Sequence, residues 1–236
     1  MKKLLFFLLG FTILSAGAQT VDEVIQKCSA NLGGLEAFNK IKTVKMTGTV
    51  TTQGMDLPIT IQIINGKATR TDVEVMGSQV IRCYKDGKGW IQNPFAGATT
   101  PTDATGLDLA DLKQQSMLAT PLMDYKARGS QAELQGQEDV NGEKAFKVKL
   151  TSKDDGKPTI YYIKTSDYSI IKSESEREIQ GQTVTIETWV SEPKDFGGAK
   201  FFMNRVQKIN GEEFQSIKFD AITLDVTIDE KIFDKP

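Results

Sequence analysis

The sequence predicts a mainly β fold in which antiparallel strands make up most of one domain, over residues 19–236. Short segments that alternate apolar and polar residues recur from Val44 to Leu224, as is typical of half-buried strands. Tight polar turns such as Asn65-Gly66 and Asn141-Gly142 join several of them. The segments lack the helical crossovers that parallel strands need, so we expect an antiparallel meander. A chain of this length fits a single sandwich or barrel.

The first eighteen residues have the features of an export signal. Lys2 and Lys3 precede an apolar stretch from Leu4 to Leu14, and Ala16-Gly17-Ala18 forms a small-residue cleavage site. We therefore expect cleavage after Ala18 and a soluble protein in the periplasm. Position 19 is Gln rather than Cys, so no lipid anchor is expected. The alternative, an uncleaved membrane anchor, is disfavoured because the apolar stretch is short.

The mature chain is predicted to begin with a helix and to continue as strands. Thr20 and Glu23 form a capping-box pair, and apolar residues recur at helical spacing from Val21 to Leu32. Strands are then predicted near residues 44–51, 57–63, 69–75 and 79–84, with Trp90 in the strand after the next turn. They resume near residue 132 and continue over 146–150, 160–164, 169–179, 183–190, 201–209 and 213–224.

The spacing of apolar residues along the sequence changes between Pro94 and Gly129. Pro and Gly residues interrupt the sheet pattern there, and the apolar residues from Leu107 to Met123 predict two short helices that divide near Pro121. A helical insertion of this kind within a β protein is a candidate lid.

Composition excludes several classes of function. The chain has 29 basic and 31 acidic residues, and lysines alternate with acids, as in Lys172–Glu178, which argues against nucleic-acid binding. The absence of histidine excludes Ser-His-Asp and Cys-His catalysis and the usual zinc sites. We predict no catalytic residue, no metal and no cofactor. A hydrolase that uses paired carboxylates is left open, because such a pair is defined by distance in space.

The two cysteines, Cys28 and Cys83, could form a disulfide in an exported protein. Cys28 also falls on the apolar side of the first predicted helix, where a free cysteine packs as a small hydrophobic residue. The sequence leaves both interpretations open.

The strands carry more apolar surface than the few predicted helices can cover. A sheet must bury its apolar face against a second layer or a ligand, so we predict a hydrophobic cavity closed by the lid. The expected lining residues are Met46, Ile59, Ile61, Val75, Trp90, Phe146, Val148 and Ile186 from the sheet, with Met117, Leu118 and Leu122 from the lid. The alternative is an ordinary closed core made of the same residues.

Two further segments are Asp86–Pro94, which reads DGKGWIQNP and follows a predicted strand pair, and the closing segment Ile222–Pro236. The first resembles a stretch that follows a strand pair in the LolA/LolB-like superfamily of periplasmic lipoprotein carriers, and the second is similar to that family's ending. The resemblance implies a curved, incompletely closed antiparallel β-barrel of about 10–11 strands, with an N-terminal helix and a short helical lid.

The resemblance also implies a function. It suggests a monomeric carrier of lipid or of an acylated protein, with transient partners among envelope membrane proteins. In the dedicated carrier an arginine on an early strand holds the lid by hydrogen bonds to its backbone, and Arg70 lies at a roughly matching position. An alternative is a structural or interaction module whose core is filled by its own side chains and which pairs with an envelope protein.

Overall fold

The computed structural model describes residues 19–179 and 181–236. The predicted export signal lies outside these ranges. None of the helices in the described part of the chain is long and apolar enough to cross a membrane.

In the described part of the chain, two helices precede the sheet, α1 (Val21–Asn31) and α2 (Leu35–Lys40). The predicted capping box starts α1: the Glu23 amide donates to Thr20 Oγ1 at 3.2 Å, and the Thr20 amide donates to the Glu23 carboxylate at 3.0 Å. Its apolar side buries Val24, Ile25 and Cys28.

The strands form one antiparallel sheet of 13, and the predicted fold class, a curved and incompletely closed barrel, is confirmed. Their bounds are β1 Thr43–Thr52, β2 Met55–Ile64, β3 Ala68–Val75, β4 Ser78–Lys85, β5 Lys88–Asn93, β6 Ala98–Ala104, β7 Gln131–Val140, β8 Glu143–Thr151, β9 Pro158–Lys164, β10 Ile170–Ile179, β11 Gln182–Phe196, β12 Ala199–Ile209 and β13 Glu212–Leu224. Their spatial order is β6-β5-β4-β3-β2-β1-β13-β12-β11-β10-β9-β8-β7. Consecutive strands are therefore neighbours except for β6 and β7, which are the two edges of the sheet, and the first strand, β1, pairs with the last, β13.

The strand number exceeds the expected one partly because Pro101 masks the strand pattern of β6. Proline cannot donate to a strand ladder and is tolerated at edges and bulges. Both conditions hold here, since β6 is an edge strand and its register with β5 shifts between Ile91 and Asn93, opposite Pro101.

The segment between β6 and β7 contains one helix, α3 (Gly106–Gln115). The second predicted helix is wrong: residues 121–129 form consecutive turns. The helix α3 ends at Gln115, well before Pro121, and the backbone hydrogen bonds after Pro121 include isolated turn bonds, such as that from the Met123 amide to the Thr120 carbonyl at 3.0 Å. Leu122 and Tyr125 are nonetheless buried in the main core. Because this segment runs from one sheet edge to the other, it spans the opening of the unclosed barrel.

The main core fills only part of the concave side of the sheet. It joins α1, α2 and the turns after α3 to β8 and β9, with Phe146, Val148 and Ile163 among its buried residues, and it continues onto β1, β2, β12 and β13. On β1–β4, β12 and β13 the side chains of this face also line a cavity.

The C-terminal segment covers the opposite face of β3–β5. It includes a 3₁₀ turn, Glu230–Phe233, and Phe233 is 1% exposed in a cluster with Ala68, Ile81, Cys83 and Trp90.

Both cysteines are free thiols, and they lie in separate clusters, Cys28 in the main core and Cys83 beneath the C-terminal segment. Burial raises the pKa of each thiol to about 12.

Candidate ligand cavity

A cavity of about 810 Å³ lies between the concave side of the sheet and the segment after α3. Its apolar lining includes Met46, Val50, Leu57, Ile59, Ile61, Val73, Val75, Val80, Met117, Leu118, Phe201, Ile217, Phe219 and Ile222. This volume and this composition are within the range of ligand-binding pockets.

The strand register arranges the lining in rows from a closed base to an open mouth. At the base, Leu32 and Phe38 of the N-terminal helices line the cavity, and the Phe38 and Phe201 rings lie 5.5 Å apart. Above the base, apolar residues pair across strands, as Met46 does with Ile61 and with Ile222.

The mouth is polar. Thr52 pairs with Gln215, and Gln215 pairs with Gln207 and donates a side-chain hydrogen bond to it. Phe214, which also lines the cavity, is 49% exposed beside this row. Water therefore meets amides and a hydroxyl at the mouth, and apolar side chains below them.

The charged residues of the lining are all basic: Arg82, Lys200 and Arg205. No aspartate or glutamate contributes to the lining within the described ranges. Arg82 Nη2 lies 3.6 Å from the Asp108 carboxylate of α3. Arg205 is exposed to solvent and lies in the cavity lining, and the protein around it lowers the pKa of its guanidinium by desolvation.

The structure brings together about half of the residues that were predicted from the sequence to line a cavity. Six of them line it, which are Met46, Ile59, Ile61, Val75, Met117 and Leu118. Three others, Leu122, Phe146 and Val148, are buried in the main core and do not line the cavity. Ile186, on β11, is half-buried outside the lining. Trp90 is buried on the other face, where its indole N–H donates to the Phe233 carbonyl at 3.0 Å.

Arg70 contacts the C-terminal segment. Its guanidinium donates to the Asp72 carboxylate and, through Nη1 at 2.6 Å, to the Ile232 carbonyl. The bond to Ile232 ties Arg70 to the C-terminal segment, on the face opposite the cavity, whereas the resemblance assigned Arg70 to the lid.

Asn65 binds the lid segment, which is the part of the chain after α3, over residues 116–130. Its side-chain amide donates to the carbonyls of Phe38 at 2.9 Å and Ile41 at 3.0 Å, and its side-chain oxygen accepts from the Leu118 amide at 3.2 Å. The next residue, Gly66, donates its amide to the Ser116 carbonyl at 2.8 Å. The sequence signal at this position is Asn-Gly, which by itself indicates only a hairpin turn.

Comparison of the fold with solved structures gives clear matches. A LolA superfamily protein from Nitrosomonas europaea aligns with a TM-score of 0.59 at 13% identity, over 92% of this chain and 99% of that one. The chain has a LolA-like fold. A DUF1329 family protein from Desulfovibrio piger aligns with a TM-score of 0.59 at 11% identity, over 92% of this chain and 98% of that one.

A third LolA-like match is a domain assigned to outer-membrane lipoprotein sorting from Vibrio parahaemolyticus. It has a TM-score of 0.57 at 10% identity, over 90% of this chain and 95% of that one. No family model matches the sequence, and no curated protein is significantly similar to it. At these identities the likeness confirms the expected resemblance at the level of the fold.

Proposed function

We propose that this LolA-like protein binds a lipid or the acyl chains of a lipoprotein in its cavity and carries that ligand without changing it chemically. The observation that carries the proposal is the cavity of about 810 Å³ with an apolar lining. Its volume disfavours the alternative in which side chains fill the interior. The lining also offers no histidine, and no carboxylate within the described residues, that could act as a general acid or base.

The arrangement suits reversible binding. Each buried methylene contributes about 0.8 kcal/mol, so a long acyl chain in a closed apolar slot would dissociate very slowly. An unclosed sheet with a polar mouth and a lid held by a few hydrogen bonds lets the chain enter and leave.

We propose further that the protein works in the periplasm as a monomer and exchanges its ligand with transient membrane-protein partners. The N-terminal sequence supports export. Exposed apolar residues near the mouth, Met76 at 83% and Phe214 at 49%, support contact with a partner during transfer.

A pair of variants tests binding in the cavity. Ile61 lines the cavity, whereas its neighbour Gln62 points to the other face of β2, opposite Lys45 and Arg70. We expect Ile61→Glu to lower the affinity for a fluorescent fatty-acid probe by about tenfold or more, since a carboxylate buried in an apolar site is costly. Gln62→Glu adds the same charge and should bind as the wild type does.

Two results would contradict the proposal. Equal probe affinity in folded Ile61→Glu and Gln62→Glu would place binding elsewhere. Native mass spectrometry of protein purified from its own periplasm should show a bound hydrophobic molecule, and a bare mass together with no probe binding would refute the carrier function.

A further inference from the structure

We propose that the ligand is an anionic amphiphile whose headgroup binds the guanidinium of Arg205. This inference rests on the proposed function, since it names the class of ligand for the same cavity. Its basis is the position of Arg205 and the charge of the lining.

Arg205 differs from every other arginine in the chain. Ion pairs join Arg70 to Asp72, Arg82 to Asp108, Arg128 to Asp124 and Arg177 to Asp111. Arg205 is a solvent-exposed residue of the cavity lining, and it has no hydrogen-bond or ion-pair partner within the described residues. A guanidinium presents five donors in a planar fork, which suits a carboxylate or a phosphate.

The residues directly across from Arg205, and those beside it on the same face of β12, carry no negative charge. Directly across the adjacent strands are Val190 on β11 and Ile217 on β13. Along β12, the residues on the same face are Met203 and Gln207. Lys200 and Arg82 are also in the lining, Arg82 paired with Asp108 of α3. Because no acid is among the described lining residues, the lining itself is positive although the whole chain has a formal charge of −2. Charge complementarity therefore favours an anionic ligand.

The position of Arg205, close to the mouth of the cavity, is suited to binding the headgroup of a molecule whose long chain lies deeper in the cavity. Its row, with Ile217 and Val50, lies next to the polar row at the mouth. From Val50 to Val44, the β1 strand runs about 20 Å towards the closed base. A headgroup on Arg205 thus stays close to water while its chain extends along Ile59, Ile61 and Met46.

The test compares two probes that have the same chain, one with an anionic headgroup and one with a neutral headgroup. A fluorescent long-chain fatty acid and its methyl ester are titrated into the wild type, Arg205→Gln and Lys218→Gln. Lys218 is the matched control, because it is the exposed neighbour of Ile217 on the other face of β13. We expect the wild type and Lys218→Gln to prefer the acid by about tenfold, as hydrogen bonds between charged groups allow.

In Arg205→Gln we expect the acid to lose about that factor while the ester is unaffected. Arg205→Lys keeps the charge and should keep most of the preference, which separates electrostatics from a general effect on folding. A parallel pair, lysophosphatidylglycerol against lysophosphatidylcholine, shows whether a phosphate headgroup with net charge is preferred in the same way.

The experiment distinguishes failure of the headgroup site from failure of the proposed carrier function. Equal affinity of the wild type for acid and ester, or equal loss of both probes in folded Arg205→Gln, would overturn the headgroup site and leave the carrier function standing. No binding of any probe by the wild type would overturn both proposals.

Discussion

At the scale of the residue, the side chain of Asn65 links the lid segment to the rest of the protein. Its side chain makes three hydrogen bonds, to Phe38, Ile41 and Leu118. Asn65→Ala should lower the free energy of unfolding by about 1–3 kcal/mol, because the backbone groups lose their partners. It should also speed ligand release, measured as the dissociation rate of a fluorescent fatty-acid probe.

The control for Asn65→Ala is Asn39→Ala, at an exposed position of α2. It should leave the dissociation rate unchanged. If Asn65→Ala lowers the free energy of unfolding but releases the probe at the wild-type rate, the lid does not limit release.

The two thiols give a second prediction at this scale. The pKa of Cys28 and of Cys83 is raised to about 12 by burial, so the reactive thiolate is scarce in the folded protein at a pH of about 8. A thiol reagent should label the folded protein slowly and should label two sites rapidly in denaturant. No labelling in denaturant without a reductant would indicate a disulfide instead.

The raised thiol pKa also predicts a direction for the effect of pH on stability. The folded state keeps its thiol protons at a pH where the unfolded state releases them. The contribution of these groups to the free energy of unfolding should therefore be constant below the ordinary thiol pKa and should fall as the pH rises above it. Denaturant titrations at a series of pH values measure this slope, and Cys83→Ala should reduce it.

At the scale of the element, the C-terminal segment is tied to β3–β5 by contacts of several kinds. The Phe233 carbonyl accepts from the Trp90 indole at 3.0 Å and from the Cys83 thiol at 3.3 Å, and Lys67 pairs with Glu230 at 2.7 Å. Phe233→Ala should cost about 3–5 kcal/mol and should shift Trp90 fluorescence to the red, as water reaches the indole. Probe affinity in the folded variant should be unchanged, because the cavity is on the other face.

Lys231→Ala, at an exposed position of the same turn, is the control for Phe233→Ala. It should leave the free energy of unfolding and the Trp90 emission close to those of the wild type. A loss of probe affinity in folded Phe233→Ala would mean that the two faces of the sheet are coupled.

The elements also show what the sequence can and cannot specify. Alternation and Asn-Gly turns locate most strands, because both signals are local. What covers each face of a strand, by contrast, depends on residues that are distant in the sequence. β4 places Val80 and Arg82 at the cavity, but Ile81 and Cys83 beneath the C-terminal segment. The period of the strand alone therefore cannot show that the tail, and not a ligand, covers Trp90.

The same limit applies to the candidate site. Met46, Ile59 and Ile61 could be assigned to a concave surface from their period, but Val148 has the same period and lies in the closed core. What separates them is the position of α1 and of the turns after α3. Arg205 gave no sequence signal, because whether a charge is paired depends on neighbours across the strands.

At the scale of the whole molecule, one hydrogen-bonded ladder runs from β6 to β7 through β1 and β13. The cavity is lined by both halves of this sheet and by the segment that joins its edges, so a ligand stabilises the native arrangement of the whole domain. Binding that is confined to the folded state adds about 2.7 kcal/mol to the free energy of unfolding when the ligand is at about 100 times its Kd.

Thermal unfolding should therefore be a single transition whose midpoint rises with the concentration of a fatty acid. Ile61→Glu should keep the single transition and lose most of the rise, whereas Gln62→Glu should keep both. Two separate transitions, with only one of them sensitive to ligand, would show that the halves of the sheet unfold independently and that the ligand contacts only one of them.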